Sequence, residues 1–168
     1  MDDRPLSPAT HSAAEVIARL GLAPLPREGG FFRRTMESAQ RVPGSDRRAC
    51  SAIYFLLTPE NFSAVHAVDA DETWCFHAGD AVELLHLDAQ GGGRVVTLGP
   101  RAAAGESWQH TVPAGEWQGA RLRSGGRWAL VTCVVAPEYR DEGFVLADRA
   151  ALTAQFPAWA GLIAALTR

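Results

Sequence analysis

Two spacings of apolar residues divide the chain. Between Ser12 and Gly21, Val16, Ile17 and Leu20 recur at helical intervals, and Ser12 with Glu15 has the S-x-x-E spacing of a capping box. With Gly21 as the stop, the segment predicts a short amphipathic helix. From Gly29 onward the texture changes to short β-prone runs separated by Gly, Pro and Asp clusters, the pattern of an antiparallel sandwich or barrel. The predicted strands are Phe31–Met36, Ala49–Leu57, Ser63–Val68, Glu72–Phe76, Ala81–Leu87, Arg94–Leu98, Trp108–Val112, Gln118–Arg123 and Trp128–Val135. Gly91, Gly92 and Gly93 read as a hairpin loop. After Pro137 the helical spacing returns: Asp148 caps a turn through Gln155, and Pro157 suits the first position of a last helix through Leu166. No internal repeat and no linker divides the sequence, so one domain over residues 1–168 is expected, with a β core from about 29 to 137.

The chain has 168 residues, enough for a domain to bury roughly 70% of its unfolded surface. With 47% hydrophobic and 21% charged residues it is neither a disordered polymer nor a membrane-embedded chain. The apolar tail, Ala158 to Leu166, is far shorter than the roughly 20 residues of a bilayer-crossing helix. A net charge of −3 argues against nucleic-acid or anionic-membrane partners, which need a concentrated cationic face. All 16 basic residues are Arg; the absence of Lys excludes Schiff-base chemistry and a Lys-dependent phosphate loop. Cys50, Cys75 and Cys133 have no metal-site or disulfide spacing, and Cys75 and Cys133 read as small buried hydrophobes. The polar, acidic start lacks the features of a secretory signal, which makes the cytoplasm the expected location.

The chemistry concentrates between Ser63 and Gly79. Strand alternation places His66 and Val68 on one face, and Glu72, Trp74 and Phe76 on one face of the next strand. With Asp69-Ala70-Asp71 as the turn, His66 and Glu72 converge across the pair, where they can act in proton transfer, bind a metal or form an ordinary structural pair. A second stretch, Val112-Pro113-Ala114-Gly115-Glu116-Trp117-Gln118, is a Pro-x-Gly turn entering a strand. Arg33 and Arg34 adjoin the first strand, and alternation turns one of them inward as a candidate anion clamp; a solvated edge charge is the competing use.

His66 and Glu72 followed by Gly79, then Pro113-x-Gly115-x-x-Gln118, resemble the two motifs of the cupin superfamily. Gly29-Gly30-Phe31-Phe32-Arg33, Ile53-Tyr54-Phe55-Leu56-Leu57, Asp71-Glu72-Thr73-Trp74 and Val135-Ala136-Pro137 extend the likeness to the family called cupin 5, from about Val16 to Leu146. The resemblance implies an all-β jelly-roll β-barrel, commonly a homodimer, flanked here by a short N-terminal helix and C-terminal helices, with a small-molecule pocket in the barrel mouth. The superfamily's metal site uses His-x-His, a Glu and a later His; in this chain those positions are His66, Val68, Glu72 and Gln118. One imidazole, one carboxylate and an amide form a poor transition-metal set, so the expected cofactor is none or a weakly bound divalent ion at His66, Glu72 and Gln118. His77 lies on the face opposite Glu72, and His86 and His110 have no assignment.

Some metal-free cupin relatives are sugar-nucleotide epimerases in which a His and carboxylate pair removes a proton next to a carbonyl. By that analogy His66 is the base, Glu72 its orienting partner and Tyr54 a proton donor, while Trp74, Phe76, Gln118 and Arg33 contact the ligand. A noncatalytic sensor or carrier, and a metal-dependent enzyme with an incomplete ligand set, are the alternatives.

Overall fold

The computed structural model describes residues 4–168; the first three residues of the polar leader lie outside it. Helix α1 (Ala13–Leu20) forms with both halves of the capping box in place, since Ser12 Oγ accepts from the Glu15 amide and the Glu15 carboxylate accepts from the Ser12 amide at 2.7 Å. Gly21, at φ 62°, closes it in the left-handed conformation.

The strands are β1 (Ala23–Pro24), β2 (Phe31–Glu37), β3 (Ser51–Leu57), β4 (Phe62–Val68), β5 (Asp71–Gly79), β6 (Val82–Leu87), β7 (Gly93–Leu98), β8 (Gln109–Val112), β9 (Trp117–Leu122), β10 (Ala129–Ala136) and β11 (Phe144–Leu146). Every run of alternating or apolar residues read from the sequence has become a strand. The two added ones, β1 and β11, span two and three residues, too short to show a period. A six-stranded antiparallel sheet runs β1-β2-β3-β10-β5-β8, and a five-stranded one runs β11-β4-β9-β6-β7. The expected closed barrel is not what strand pairing makes here: each sheet keeps its own ladder, and side chains between the two faces join them.

This separation corrects the expected hairpin of β4 and β5. The two strands follow one another in sequence but belong to different sheets, so the link at Asp69 and Ala70 passes from one sheet to the other. His66 and Glu72 therefore approach from facing sheets, not from paired strands. Gly79 ends β5 at φ 104°, and a Cβ there would lie 2.3 Å from the Trp128 carbonyl oxygen, which accounts for glycine at this position.

Between the sheets, Phe55, Trp74, Leu84, Leu98 and Val131 fill the main core. On the outer face of the six-stranded sheet, Val16 of α1 packs with Leu56, Trp128 and Leu130. Helix α2 (Arg149–Gln155) starts at Asp148, whose carboxylate accepts from the Ala151 amide at 2.8 Å. The last helical segment is divided: Pro157–Trp159 forms a 3-10 turn and α3 (Ala160–Ala165) follows. Leu152, Phe156, Ile163 and Leu166 from this region cover Val65, Leu85 and Leu87 of the five-stranded sheet. Among the described residues no helix is long and apolar enough to cross a membrane.

Candidate functional site

His66 lies in the middle of β4, 1% exposed, where β9 places Gln118 and β11 places Leu146 beside it. Its Nδ1 is 2.8 Å from the Ala64 carbonyl oxygen, which can only accept, so Nδ1 carries a proton and Nε2 is left for the neighbouring cavity. Nε2 stands 3.7 Å from Glu72 Oε2, within ion-pair range and longer than a hydrogen bond. The shorter contact to that oxygen comes from Gln118, whose Nε2 donates to it at 2.6 Å. Gln118 Oε1 in turn accepts from Trp74 Nε1 at 2.8 Å. Gln118 and Trp74 are fully buried and fix the carboxylate from behind.

The cavity itself, about 580 Å3, opens between the sheets at the β2, β3 and β10 side. Apolar walls come from Phe32, Ile53, Val68, Val135 and Phe144, while His66, Glu72, Glu28 and Cys133 supply the inner chemistry. The alternation of β2 turns Phe32 and Arg34 toward this space, and the alternation of β3 turns Ile53 toward it. Arg33 and Tyr54, placed in the site by the sequence reading, are cross-strand partners on the other side of that sheet. There the Arg33 guanidinium lies 5.7 Å over the Tyr54 ring and Tyr54 meets His77 edge-on. Phe76 packs against the main core and does not line the cavity. His66, Glu72 and Gln118 thus come together, Trp74 supports them, and Tyr54, Phe76 and Arg33 lie elsewhere.

Sequence reasoning missed Glu28. It sits in the turn between β1 and β2, with no periodic pattern around it; the only signal was a carboxylate beside the Gly29-Gly30 pair. The fold carries it to β4, where the Ala64 amide donates to the Glu28 carbonyl at 2.9 Å and Ser63 Oγ donates to its carboxylate at 2.7 Å. Burial raises the Glu28 pKa, Glu72 adds to the rise, and His66 opposes it. For His66, burial alone acts downward, but Glu28, Glu72 and the Ala64 carbonyl outweigh it and push the imidazole up to about 9. Burial and the same two carboxylates hold the Cys133 thiol well above its usual range, so it is a protonated wall group at neutral pH. Phe144, also missed because β11 is so short, stacks on His66 with ring centroids 5.0 Å apart.

A second polar cluster lies away from the cavity. His86 Nδ1 is 2.9 Å from His110 Nε2, and His86 Nε2 pairs with the Glu116 carboxylate. Burial, His86 and Arg94 lower the His110 pKa to about 4.

Val68 offers no donor, and the Gln118 carbonyl oxygen already accepts the Trp74 indole N–H. Among the described residues no group of three His, Cys, Asp or Glu side chains is arranged to hold a metal ion. The donor set does not fit the metal of the superfamily.

Two facing antiparallel sheets bring an imidazole and a carboxylate together between them. The chain belongs to the cupin 5 family, whose model, described as "Cupin superfamily (DUF985)", matches residues 14–147. A hypothetical protein from Leishmania major is similar at 33% identity, over 94% of this chain and 99% of that one, with a TM-score of 0.86. A protein from Shewanella oneidensis matches at 33% identity over 95% of this chain and 99% of its own, also with a TM-score of 0.86. A cupin 2 domain-containing protein from Halorhodospira halophila shares the fold at 14% identity over 83% of each chain, with a TM-score of 0.57. No curated protein matches the chain.

Proposed function

We propose that this cupin uses the inner end of its cavity for metal-independent proton transfer on a small carbonyl or sugar-like substrate, as an isomerase or epimerase does. The observation that carries the reading is the His66 Nε2, not engaged by the Ala64 carbonyl and facing the inner end of a cavity flanked by Glu28 and Glu72. With its pKa near 9, His66 is an imidazolium at neutral pH, which changes its role from base to acid. Its Nε2–H donates to the substrate carbonyl oxygen and stabilises the enolate that develops there. Glu28, a carboxylate made more basic by burial, takes the proton from the adjacent carbon and delivers it to the former carbonyl carbon, while His66 gives its proton to the carbonyl oxygen and recovers one from the adjacent hydroxyl, so that the carbonyl has moved by one carbon. Glu72, held by Gln118, keeps the imidazolium charged.

The test is deuterium exchange at carbon next to the carbonyl in a panel of sugar and keto-acid probes. Glu28→Gln and His66→Ala are expected to lower exchange at least about a hundredfold, with Tm within a few degrees of wild type. Unchanged exchange in either variant rejects the assignment. The second reading, a noncatalytic carrier, draws on Tyr54 lying outside the cavity, and on Tyr139, the phenol that does line it, donating its hydroxyl proton to Asp141. Saturable binding without exchange favours it. We further propose that the two sheets serve as the cup of a jelly roll, that the protein is a cytoplasmic homodimer, and that a monomer by light scattering at micromolar concentration refutes the dimer.

A further inference from the structure

The Leu25–Gly30 turn holds a residue whose backbone and side chain both lack an account in the fold. Arg27 has φ 66° and is the only non-glycine residue among those described with a positive φ. Side chains adopt this region reluctantly, and where they do the surroundings hold them there, commonly at a binding site. The turn is pinned at several points. Leu25 and Gly30 bond through the main chain, the Gly29 amide donates to the Leu25 carbonyl, and Arg168 reaches the carbonyls of Arg27 and Glu28. The kink sends consecutive side chains to two depths of one cavity: Glu28 inward, beside Ser63, and Arg27 to the exposed mouth.

At the mouth, the Arg27 guanidinium makes no ion pair or side-chain hydrogen bond among the described residues; it lies over the Phe144 ring, 4.7 Å from the centroid. Arg34, the other cation lining the opening, is already neutralised by Glu37 at 2.6 Å. Asp141 nearby accepts from the Tyr139 hydroxyl at 2.9 Å. Among the described residues the rim therefore offers one guanidinium without an ion pair, beside apolar walls and the Asp141 carboxylate, and below it a cluster of His66 with two carboxylates that calls for a hydroxyl or carbonyl group.

We propose that the cavity takes a small organic carboxylic acid, its carboxylate on the Arg27 guanidinium and its hydroxyl or carbonyl end against His66 and Glu28. One free guanidinium matches a monoanion in charge and forms two parallel hydrogen bonds with a carboxylate. A phosphate dianion would meet only half its charge. The proposal rests on the cavity's being the ligand site of the reading above, and it adds the class of molecule and the residue that selects it.

Titration calorimetry with 4-hydroxyphenylacetate, its neutral amide and 4-hydroxybenzylphosphonate tests it. Wild type is expected to bind the acid about ten- to a hundredfold more tightly than the amide, and more tightly than the phosphonate. Arg27→Gly removes the guanidinium while suiting the left-handed backbone, so this variant is expected to lose the preference for acid over amide and to melt no lower than wild type. Equal binding of acid and amide, or a preference that survives Arg27→Gly, overturns the inference while leaving the cavity a ligand site. Tighter binding of the phosphonate overturns the monoanion assignment. No binding of any probe overturns the inference, and the deuterium exchange described above then decides the fate of the wider reading separately.

Discussion

His66 shows how a single side chain couples the cavity to stability. Its pKa in the folded protein, about 9, lies above the ordinary 6.5, so the native state holds the proton more tightly than the unfolded chain. The associated stabilisation is complete below pH 6.5 and is lost as the pH rises through 9. It is on the order of 3 kcal/mol. Thermal melts from pH 6 to 10 are expected to show Tm falling across that window in wild type and staying nearly flat in His66→Gln; parallel curves would separate His66 from the alkaline loss. Gln118 is the other decisive residue at this scale, because it satisfies Glu72 with its amide and Trp74 with its carbonyl at once. Gln118→Leu keeps the bulk and strands a carboxylate and an indole N–H, both buried. The expected destabilisation is about 2 to 5 kcal/mol by urea unfolding, and less than about 1 kcal/mol would mean water replaces the amide easily.

At the level of elements, the strands were readable because alternation and turn residues are local signals, and α1 was readable to the residue because Ser12, Glu15 and Gly21 each do a local job. The motif glycine belongs to the same class. With φ 104° and the Trp128 carbonyl 2.3 Å from the site of a Cβ, Gly79→Ala must displace main chain of the entry to β10. It is expected to cost about 2 to 4 kcal/mol, checked by urea unfolding. What the sequence could not supply was partnership between elements. His66 and Glu72 were correctly brought near one another for an incorrect reason, since β4 and β5 were read as a hairpin and are strands of facing sheets. Glu28, Phe144 and Arg27 reach the cavity through a turn and a three-residue strand, where no period exists to be read. The placing of Arg33 and Tyr54 in the site failed for a related reason: alternation fixes which residues share a face, and only the packed partner tells which face is inside.

In the whole molecule, two sheets that do not share a strand ladder meet in main chain at the bridge of Leu98 with Ser107 and are otherwise joined by side chains, two polar links among them. Gln118 on β9 reaches Glu72 and Trp74 on β5, and His86 on β6 reaches His110 on β8. The links are connected by register: His66, Gln118, His86 and Arg94 are successive cross-strand neighbours over β4, β9, β6 and β7. The second link also has a direction. Glu116 accepts from His86 Nε2–H, and the Arg94 guanidinium at 3.2 Å requires His86 Nδ1 to accept. His110 must then donate Nε2–H to that same nitrogen, which it can do while neutral. A proton added to His110 places a cation beside Arg94, consistent with a pKa held down to about 4 by burial, His86 and Arg94. The sign is opposite to that of His66. Here the unfolded chain takes up its proton first, near pH 6.5, so the stabilisation is present above 6.5 and disappears as the pH falls through about 4. The two histidines thus bound a window of maximal stability near pH 6.5, one limb from each link. His110→Gln keeps a donor toward His86 and removes the titration; its acid limb between pH 6.5 and 4 is expected to be shallower than wild type while its alkaline limb is unchanged. If both limbs move together, the two links are a single cooperative unit and not independent ties between the sheets.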